Sequence, residues 1–348
     1  MTKSATSEVT VQMAKWYTLH GAENDVVINI RIQIARNVKG YNFTIKLSDD
    51  EKYEIADKID EVLTENLPGK FVTTPMIEVG RDLQISLAEK NIVSPEFVSR
   101  ADGRTLIMTE DETLSIMVCE EDHLKIQSLL PGLELEKAYE LSNTLDNMLD
   151  EKLFFSFDKK LGYLTQCPTN IGTAMRASVM LQLPALLMRG QINRLSNMVS
   201  KLGLVLTGAY GEGDSPTGAL YQLSNQVTLG ISEDAAISNL KSISLSIIEQ
   251  ERACRAELME SLKFQDIFWR SYGTLKNARV MTFAEFMKAI SVIKVGITSG
   301  EIKVSCEKIN ELIFTMQPAT LNVEFGESLD RQVRDIKRAE KIRGIFSE

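Results

Sequence analysis

Cys167-Pro168-Thr169-Asn170-Ile171-Gly172-Thr173-Ala174-Met175-Arg176-Ala177-Ser178 puts a thiol, a turn-forming run and a guanidinium into one short segment. Pro168 and Gly172 constrain the path on either side of Asn170. Met175, Val179, Met180 and Leu183 then follow helical apolar spacing, which predicts a helix with Arg176 in its first turn. Backbone N–H groups, a positive dipole end and a guanidinium together favour an anion, and phosphate is the ligand they imply. Two further segments supply carboxylates. Glu120-Glu121-Asp122-His123 lies near the end of a predicted strand, and Glu212 sits between glycines in Gly208-Ala209-Tyr210-Gly211-Glu212-Gly213.

Together these segments resemble the guanidino kinases, and within them the bacterial protein arginine kinases, over about Val26 through Arg343. Arg270-Ser271-Tyr272-Gly273 and Arg334-Asp335-Ile336-Lys337-Arg338-Ala339 resemble features of that branch and not of the kinases acting on free guanidino metabolites. The resemblance implies ATP-dependent phosphorylation of arginine side chains in proteins, linked to protein quality control and degradation, with Mg2+ accompanying ATP. Glu212 would be the general base, Glu121 the second carboxylate holding the guanidinium, and Cys167 a thiolate in contact with it. The nucleotide side would comprise Arg31, Asn91, Lys125, the run Arg176, Ala177, Ser178, Val179 and Met180, and Thr207. Arg334, Asp335, Arg338 and Ala339 would bind phosphoarginine. No dedicated metal-ligand set is implied. A homodimer, an activator protein and a protease or chaperone system are the partners implied beside the protein substrates.

The nucleotide side departs from the family pattern. Gln33 and Thr207 stand where arginines are expected, Lys125 replaces a third, and Asn91 replaces a histidine that contacts the base. Lysine keeps the charge but loses the planar fork, whereas glutamine and threonine lose the charge. One catalytic arginine is worth on the order of 10³ to 10⁵ in rate in phosphoryl-transfer enzymes, so these replacements bear directly on turnover. Arg81, Arg100, Arg104 and Lys201 are the candidates for compensation. The alternative is a degenerate guanidino kinase that binds phosphoarginine and regulates a partner.

Phosphoryl transfer to a guanidinium needs a carboxylate at the acceptor nitrogen, because the delocalised cation is a poor nucleophile until a proton leaves. Arginine's high intrinsic pKa means that positioning during transfer carries much of the effect. Arg334 and Arg338, four residues apart, fall on one helix face with Asp335 adjacent, a pattern that suits a group bearing both phosphate and guanidinium. No Gly-x-x-x-x-Gly-Lys-Ser/Thr loop or Gly-x-Gly-x-x-Gly fingerprint occurs.

The chain has 348 residues, 44% hydrophobic and 25% charged, which suits a globular protein with a large and a smaller domain. Its net charge of −9 disfavours nonspecific nucleic-acid binding and suits a cationic partner such as an arginine-bearing protein. Cys119, Cys167, Cys254 and Cys306 show no Cys-x-x-Cys pair, and His20 and His123 are the only histidines, which argues against a zinc site and a dense disulfide framework. The first residues lack an apolar signal core, and the longest apolar stretch, about 177–188, is too short to span a bilayer, so a cytoplasmic protein without a membrane partner is expected.

From Val26 to Arg36, Ile28, Ile30, Ile32 and Ile34 alternate with Asn29, Arg31 and Gln33, predicting a strand with a polar row. Ser48-Asp49-Asp50-Glu51 reads as a capping box before a helix carrying Ile55, Ile59 and Val62. Further strands are predicted at 105–108, 114–119, 204–207 and 220–229, and helices at 134–149, 176–202 and 233–263. The pattern predicts an α+β fold: a catalytic domain (residues 1–256) with a central antiparallel sheet flanked by helices, then a helical domain (257–348). Within the latter, Thr282 caps a helix that Gly296 to Gly300 interrupts, and a helix resumes over 305–315.

Overall fold

The computed structural model describes residues 14–209, 216–297 and 300–347. The alternating isoleucines form β1 (Val27–Arg36), which lies inside an eight-stranded sheet. The strand order is β2 (Phe71–Pro75), β3 (Thr105–Thr109), β4 (Leu114–Val118), β5 (Leu124–Pro131), β1, β8 (Met175–Gln182), β10 (Leu220–Asn225) and β9 (Leu204–Gly208). Every neighbouring pair in it is antiparallel. A separate hairpin pairs β6 (Phe157–Asp158) with β7 (Gly162–Tyr163). The first helices are α1 (Asp49–Asn66), α2 (Arg81–Glu89), α3 (Pro95–Ser99), α4 (Leu135–Leu153), α5 (Pro184–Met188), α6 (Ile192–Ser200) and α7 (Glu233–Met259). They are followed by α8 (Leu262–Asn277), α9 (Phe283–Ile297), α10 (Cys306–Thr315), α11 (Pro318–Phe325) and α12 (Arg331–Ser347).

The two sheet faces have different fates. Ile30, Ile32 and Ile34 join Ile126, Ala177, Val179 and Leu223 in an apolar layer covered by α1, α4, α6 and α7. The opposite face is covered only at its ends. At one end Leu106 and Met117 pack beneath α2 and α3, with Leu87 and Phe97. At the other, Ile28, Leu129, Met180 and Leu220 share a core with Phe268, Phe286, Ile290 and Ile313 of the C-terminal helices. Between these roofs the face is polar.

Local chemistry explains most boundaries. Ser48 and Glu51 form the predicted capping box of α1, and Thr282 Oγ1 accepts from Glu285 N at 3.2 Å at the start of α9. The helix predicted over 176–202 is not formed. Residues 175–182 are β8, a strand between β1 and β10, and only then do α5 and α6 follow. An interior strand buried on both faces carries a near-continuous apolar run, so its spacing imitates a helix. Arg176 is therefore on a strand, and the helix-dipole contribution expected for it is absent.

Other boundaries shift for similarly specific reasons. Strand β10 stops at Asn225, whose side chain accepts from Ala177 N at 2.7 Å and donates to Met175 O and Val227 O at 3.1 Å each. The helix predicted over 233–263 divides after Met259, and Leu262 begins a new one. Helix α9 ends at Ile297, inside the break predicted over 296–300, and Gly296 in its last turn serves packing: a Cβ there would lie 2.0 Å from Phe268 Cε2. Strands β2 and β5 and helices α2, α3 and α11 were not predicted from pattern.

Helix α2 also joins the C-terminal helices. Glu89 accepts from the first turn of α11, from Ala319 N at 2.9 Å and Thr320 N at 2.7 Å, and Ser86 Oγ lies 3.0 Å from Thr320 Oγ1. The two roofs of the polar face are thus fastened to each other.

One buried pair ties the end of β1 to α4. Arg36 Nη2 donates to Asp146 Oδ2 at 2.7 Å with both side chains 3% exposed, and its guanidinium stacks on the Tyr163 ring. Removing one partner of such a pair leaves an uncompensated buried charge. Asp146→Ala is expected to lower stability by about 3 to 5 kcal/mol in urea unfolding at neutral pH; a loss below about 1 kcal/mol would show that the pair contributes little.

Candidate active site

Register places the polar residues. Gln33 on β1 pairs with Gln127 on β5 and with Arg176 on β8, so the three share one sheet face. Arg31, opposite Leu129 and Ser178, lies one step along the same face, and Lys125, opposite Ala35, lies beyond Gln33 in the other direction. Across β8 and β10, Met180 pairs with Gln222 and Gln222 with Thr207. Arg31 Nη2 donates to Gln222 Oε1 at 3.3 Å, so its guanidinium points toward the position where Thr207 stands.

Gln33 is fixed by a polar relay. Its Nε2 donates to Gln127 Oε1 at 2.9 Å, and Gln127 Nε2 donates to the carbonyls of Asn91 at 2.9 Å and Ile92 at 2.8 Å. Asn91 has φ +61°, a left-handed conformation that asparagine tolerates, and the turn it makes after α2 aims both carbonyls at Gln127. Gln127 and Gln222 were not singled out from sequence. Their signal was available, because Lys125 and Gln127 alternate with Ile126 as Arg31 and Gln33 do with Ile32.

The acceptor end is built by the turn joining β4 to β5. Cys119, at φ +59°, donates its N–H to His123 O at 2.9 Å to close the turn. Asp122, 1% exposed, accepts from Asn37 Nδ2 and from Gln166 N, each at 2.7 Å. Asn37 in turn accepts from His123 N at 3.0 Å and donates to Leu164 O at 2.9 Å. His123 Nδ1 accepts from Val38 N at 3.0 Å while Nε2 donates to Asn42 O at 2.7 Å, and burial pushes its pKa down, so it is a neutral structural imidazole. These bonds dock the 164–167 segment against the turn and bring the Cys167 thiol near enough to Glu121 to favour its ionised form slightly. Cys167 Sγ also lies 3.0 Å from Thr169 Oγ1.

Glycine is required in this loop. Gly172 has φ +117°, and a Cβ on it would lie 2.1 Å from Thr228 O. Thr228 Oγ1 donates to the carbonyls of Thr169 at 3.1 Å and Ile171 at 2.9 Å, which holds the loop beside β8.

Glu121, Lys125, Gln33, Asn170 and Arg176 line one cavity of about 130 Å³. Burial pushes the Glu121 pKa up, and the neighbouring Asp122 and Glu120 charges add to this against the opposing pull of Lys125 and the Cys167 thiol. Lys125 is paired with Glu120 at 2.5 Å. Arg176 is exposed, and no ion pair involves it among the described residues. The cavity therefore brings a carboxylate, with the Cys167 thiol beside it, together with the cations Lys125 and Arg176.

The remaining expected residues are distributed unevenly. Glu212 lies outside the described residues; the flanking Ala209 and Pro216 sit where β9 ends, beside Thr207. Ser178 faces the polar side, and Met180 is on that side but roofed by the C-terminal core. Ala177 and Val179 point the other way into the apolar layer, so their side chains do not reach a ligand in the cleft. The candidates for compensation lie elsewhere. Arg81 is bonded to Val98 O at 2.6 Å, Arg100 and Arg104 line a different cavity, and Lys201 ends α6.

The C-terminal motif lies on α12, as spacing predicts, but its arginines do not present one open face. Arg338 is 1% exposed; its Nε donates to Met316 O at 2.8 Å and its Nη1 to Met281 O at 2.9 Å and Asp335 Oδ1 at 2.5 Å. Ala339 is in the C-terminal core. Arg334 is half-buried near Glu89. In this conformation Arg338 braces the helices around it.

Comparison with known proteins gives the family. The family model for the ATP:guanido phosphotransferase C-terminal catalytic domain matches residues 54–254, and that for the protein-arginine kinase McsB C-terminal domain matches 261–348. A protein-arginine kinase of Clostridium acetobutylicum is 40% identical over 95% of this chain and 99% of its own length. One from Desulforamulus reducens is 43% identical over 95% and 94%. Among solved structures, a lombricine kinase superposes with a TM-score of 0.59 at 23% identity, over 72% of this chain and 74% of its own. The duplicated taurocyamine kinase of Schistosoma mansoni gives 0.58 at 25%, over 68% of this chain and 35% of its own. The chain thus belongs to the protein-arginine kinase branch of the ATP:guanido phosphotransferase family.

Proposed function

We propose that this protein is an ATP-dependent protein-arginine kinase. The observation that carries the reading is the single cavity lined by Glu121 together with Arg176 and Lys125, with the Cys167 thiol beside Glu121. A planar cation fits the acid–thiol side, because a carboxylate accepts its fork of N–H donors. A polyphosphate fits the cationic side, where Arg31, Arg176 and Lys125 share one sheet face and Arg176 is exposed. ATP with Mg2+ supplies the phosphoryl group.

The chain's own residues then have distinct roles. Glu121 and Cys167 orient the guanidinium, and Glu212 takes the proton from the attacking nitrogen. Arg31 and Arg176 hold phosphate oxygens, with Lys125 adding charge without a fork. Gln33 contributes hydrogen bonds where a guanidinium would contribute charge, so turnover rests on fewer cations than the family pattern provides. Thr207, beside Gln222, and Asn91, at the end of the relay, complete the nucleotide side. The product marks proteins for degradation, and the enzyme works in the cytoplasm as a homodimer with an activator. Phosphoarginine recognition at the C-terminal motif draws on Arg334 and Asp335, and requires Arg338 to release the carbonyls it now holds.

Two measurements test the reading. Incubation with ATP, Mg2+ and an arginine-containing unfolded protein is expected to give an acid-labile phosphoramidate, and Arg176→Ala is expected to lower kcat/KM by about 10³-fold. An Arg176→Ala rate within about twofold of wild type would remove that residue from the transfer. The second concerns pH. Glu121 must be ionised to hold a cation, and its pKa is raised, so activity falls on acidification at a pH above that of an ordinary glutamate. Because Glu120 raises this pKa and Lys125 lowers it, Glu120→Gln shifts the acidic limb of the kcat/KM profile down and Lys125→Ala shifts it up. Shifts of the opposite sign would show that another group controls the limb.

A further inference from the structure

A second cavity, of about 480 Å³, adjoins the acceptor end and has no part in the transfer described above. It is lined by Glu120 and Gln166, the chain neighbours of Glu121 and Cys167, and by Asp49, Lys52, Arg100 and Arg104. Adjacent Cα atoms are about 3.8 Å apart, so a polypeptide whose arginine reaches Glu121 and Cys167 must run its flanking residues past this opening.

The charges in the cavity are unevenly matched. Asp49 is shared: it pairs with Lys52 at 2.6 Å and with Arg100 at 3.6 Å. Glu120 is neutralised from outside the cavity by Lys125 at 2.5 Å. Arg104 directs its hydrogen bonds to the carbonyls of Glu96, Phe97 and Arg100 at the end of α3, and it feels the Glu120 charge without forming an ion pair among the described residues. Asp102, exposed at the rim, is the remaining acid lining it. The interior is therefore cationic beside an acceptor pair that is anionic. Arg100, with a side chain 57% exposed, is free to swing from its long contact with Asp49.

We infer that this cavity is a specificity subsite that receives an acidic side chain next to the acceptor arginine, with Arg100 as the residue that reads it. The inference rests on the proposed kinase reading and adds the sequence preference of the substrate. An arginine flanked by carboxylates places its cation on Glu121 and Cys167 and its neighbouring anion on Arg100, so both ends of the dipeptide meet complementary charge.

The test is direct binding without nucleotide, so it does not depend on turnover. Fluorescein-labelled Gly/Ser-rich peptides carry one arginine between two aspartates or two lysines, with a citrulline version of the former. For the full-length protein the aspartate-flanked peptide is expected to bind about threefold to tenfold more tightly than the lysine-flanked one, and the advantage shrinks in high salt. Arg100→Glu, at an exposed position that leaves the fold intact, is expected to abolish or reverse the preference. Equal affinities in the wild type, or a preference unchanged by Arg100→Glu, overturn the subsite while leaving the kinase reading in place. Citrulline binding as tightly as arginine overturns the acceptor site itself, and the subsite with it.

Discussion

A one-residue slip of β1 against its neighbours would turn Arg31 and Gln33 into the apolar layer and swing Ile32 and Ile34 out into the cleft. The site depends on that register. It is held by the burial of Ile30, Ile32 and Ile34, each at most 2% exposed, and burying an aliphatic side chain of this size contributes about 1.5 to 3 kcal/mol. The energy that fixes the polar row thus comes from the far side of the sheet. The polar residues contribute little to stability and are free to be selected for chemistry.

The cleft exists because the same face is roofed only at its ends. Leu106 and Met117 are covered by α2 and α3, and Leu129, Met180 and Leu220 by the C-terminal helices. Through the contact of Glu89 with α11 the roofs brace each other, and through Asn91, Ile92 and Gln127 one of them also sets the position of Gln33. Positive charge is spread along the strands while the acids are concentrated in the turn after β4. Burial, and after it the charges of Asp122 and Glu120, makes ionisation of Glu121 costly, a cost that a guanidinium bound there would relieve.

Much of this was legible in the chain. The alternation in β1 and the capping box of α1 follow from residue type and spacing, whereas the grouping of Glu121, Cys167 and Arg176 around one function comes from the resemblance to the guanidino kinases. The strand around Arg176 was misread because an interior strand lacks the alternation that distinguishes it from a helix. The surroundings of the α12 arginines were not legible at all: nothing local in their spacing reveals that Arg338 donates to carbonyls 22 and 57 residues away. Likewise Asp122 and His123 look chemically active in sequence. Their partners Asn37, Gln166, Val38 and Asn42 are distant in the chain, and only folding shows that they hold the loop instead.

The central claim is that acceptor and donor groups line a common cleft, and protection of Cys167 from alkylation tests it most directly. Mass spectrometry would follow modification of the Cys167 peptide in the presence of an arginine peptide, a non-hydrolysable Mg-ATP analogue, or both. The account predicts that the arginine peptide slows alkylation, and that the two ligands together slow it by more than about tenfold, since each closes one side of the same small cavity. Alkylation unaffected by either ligand, with both shown to be bound, would contradict it.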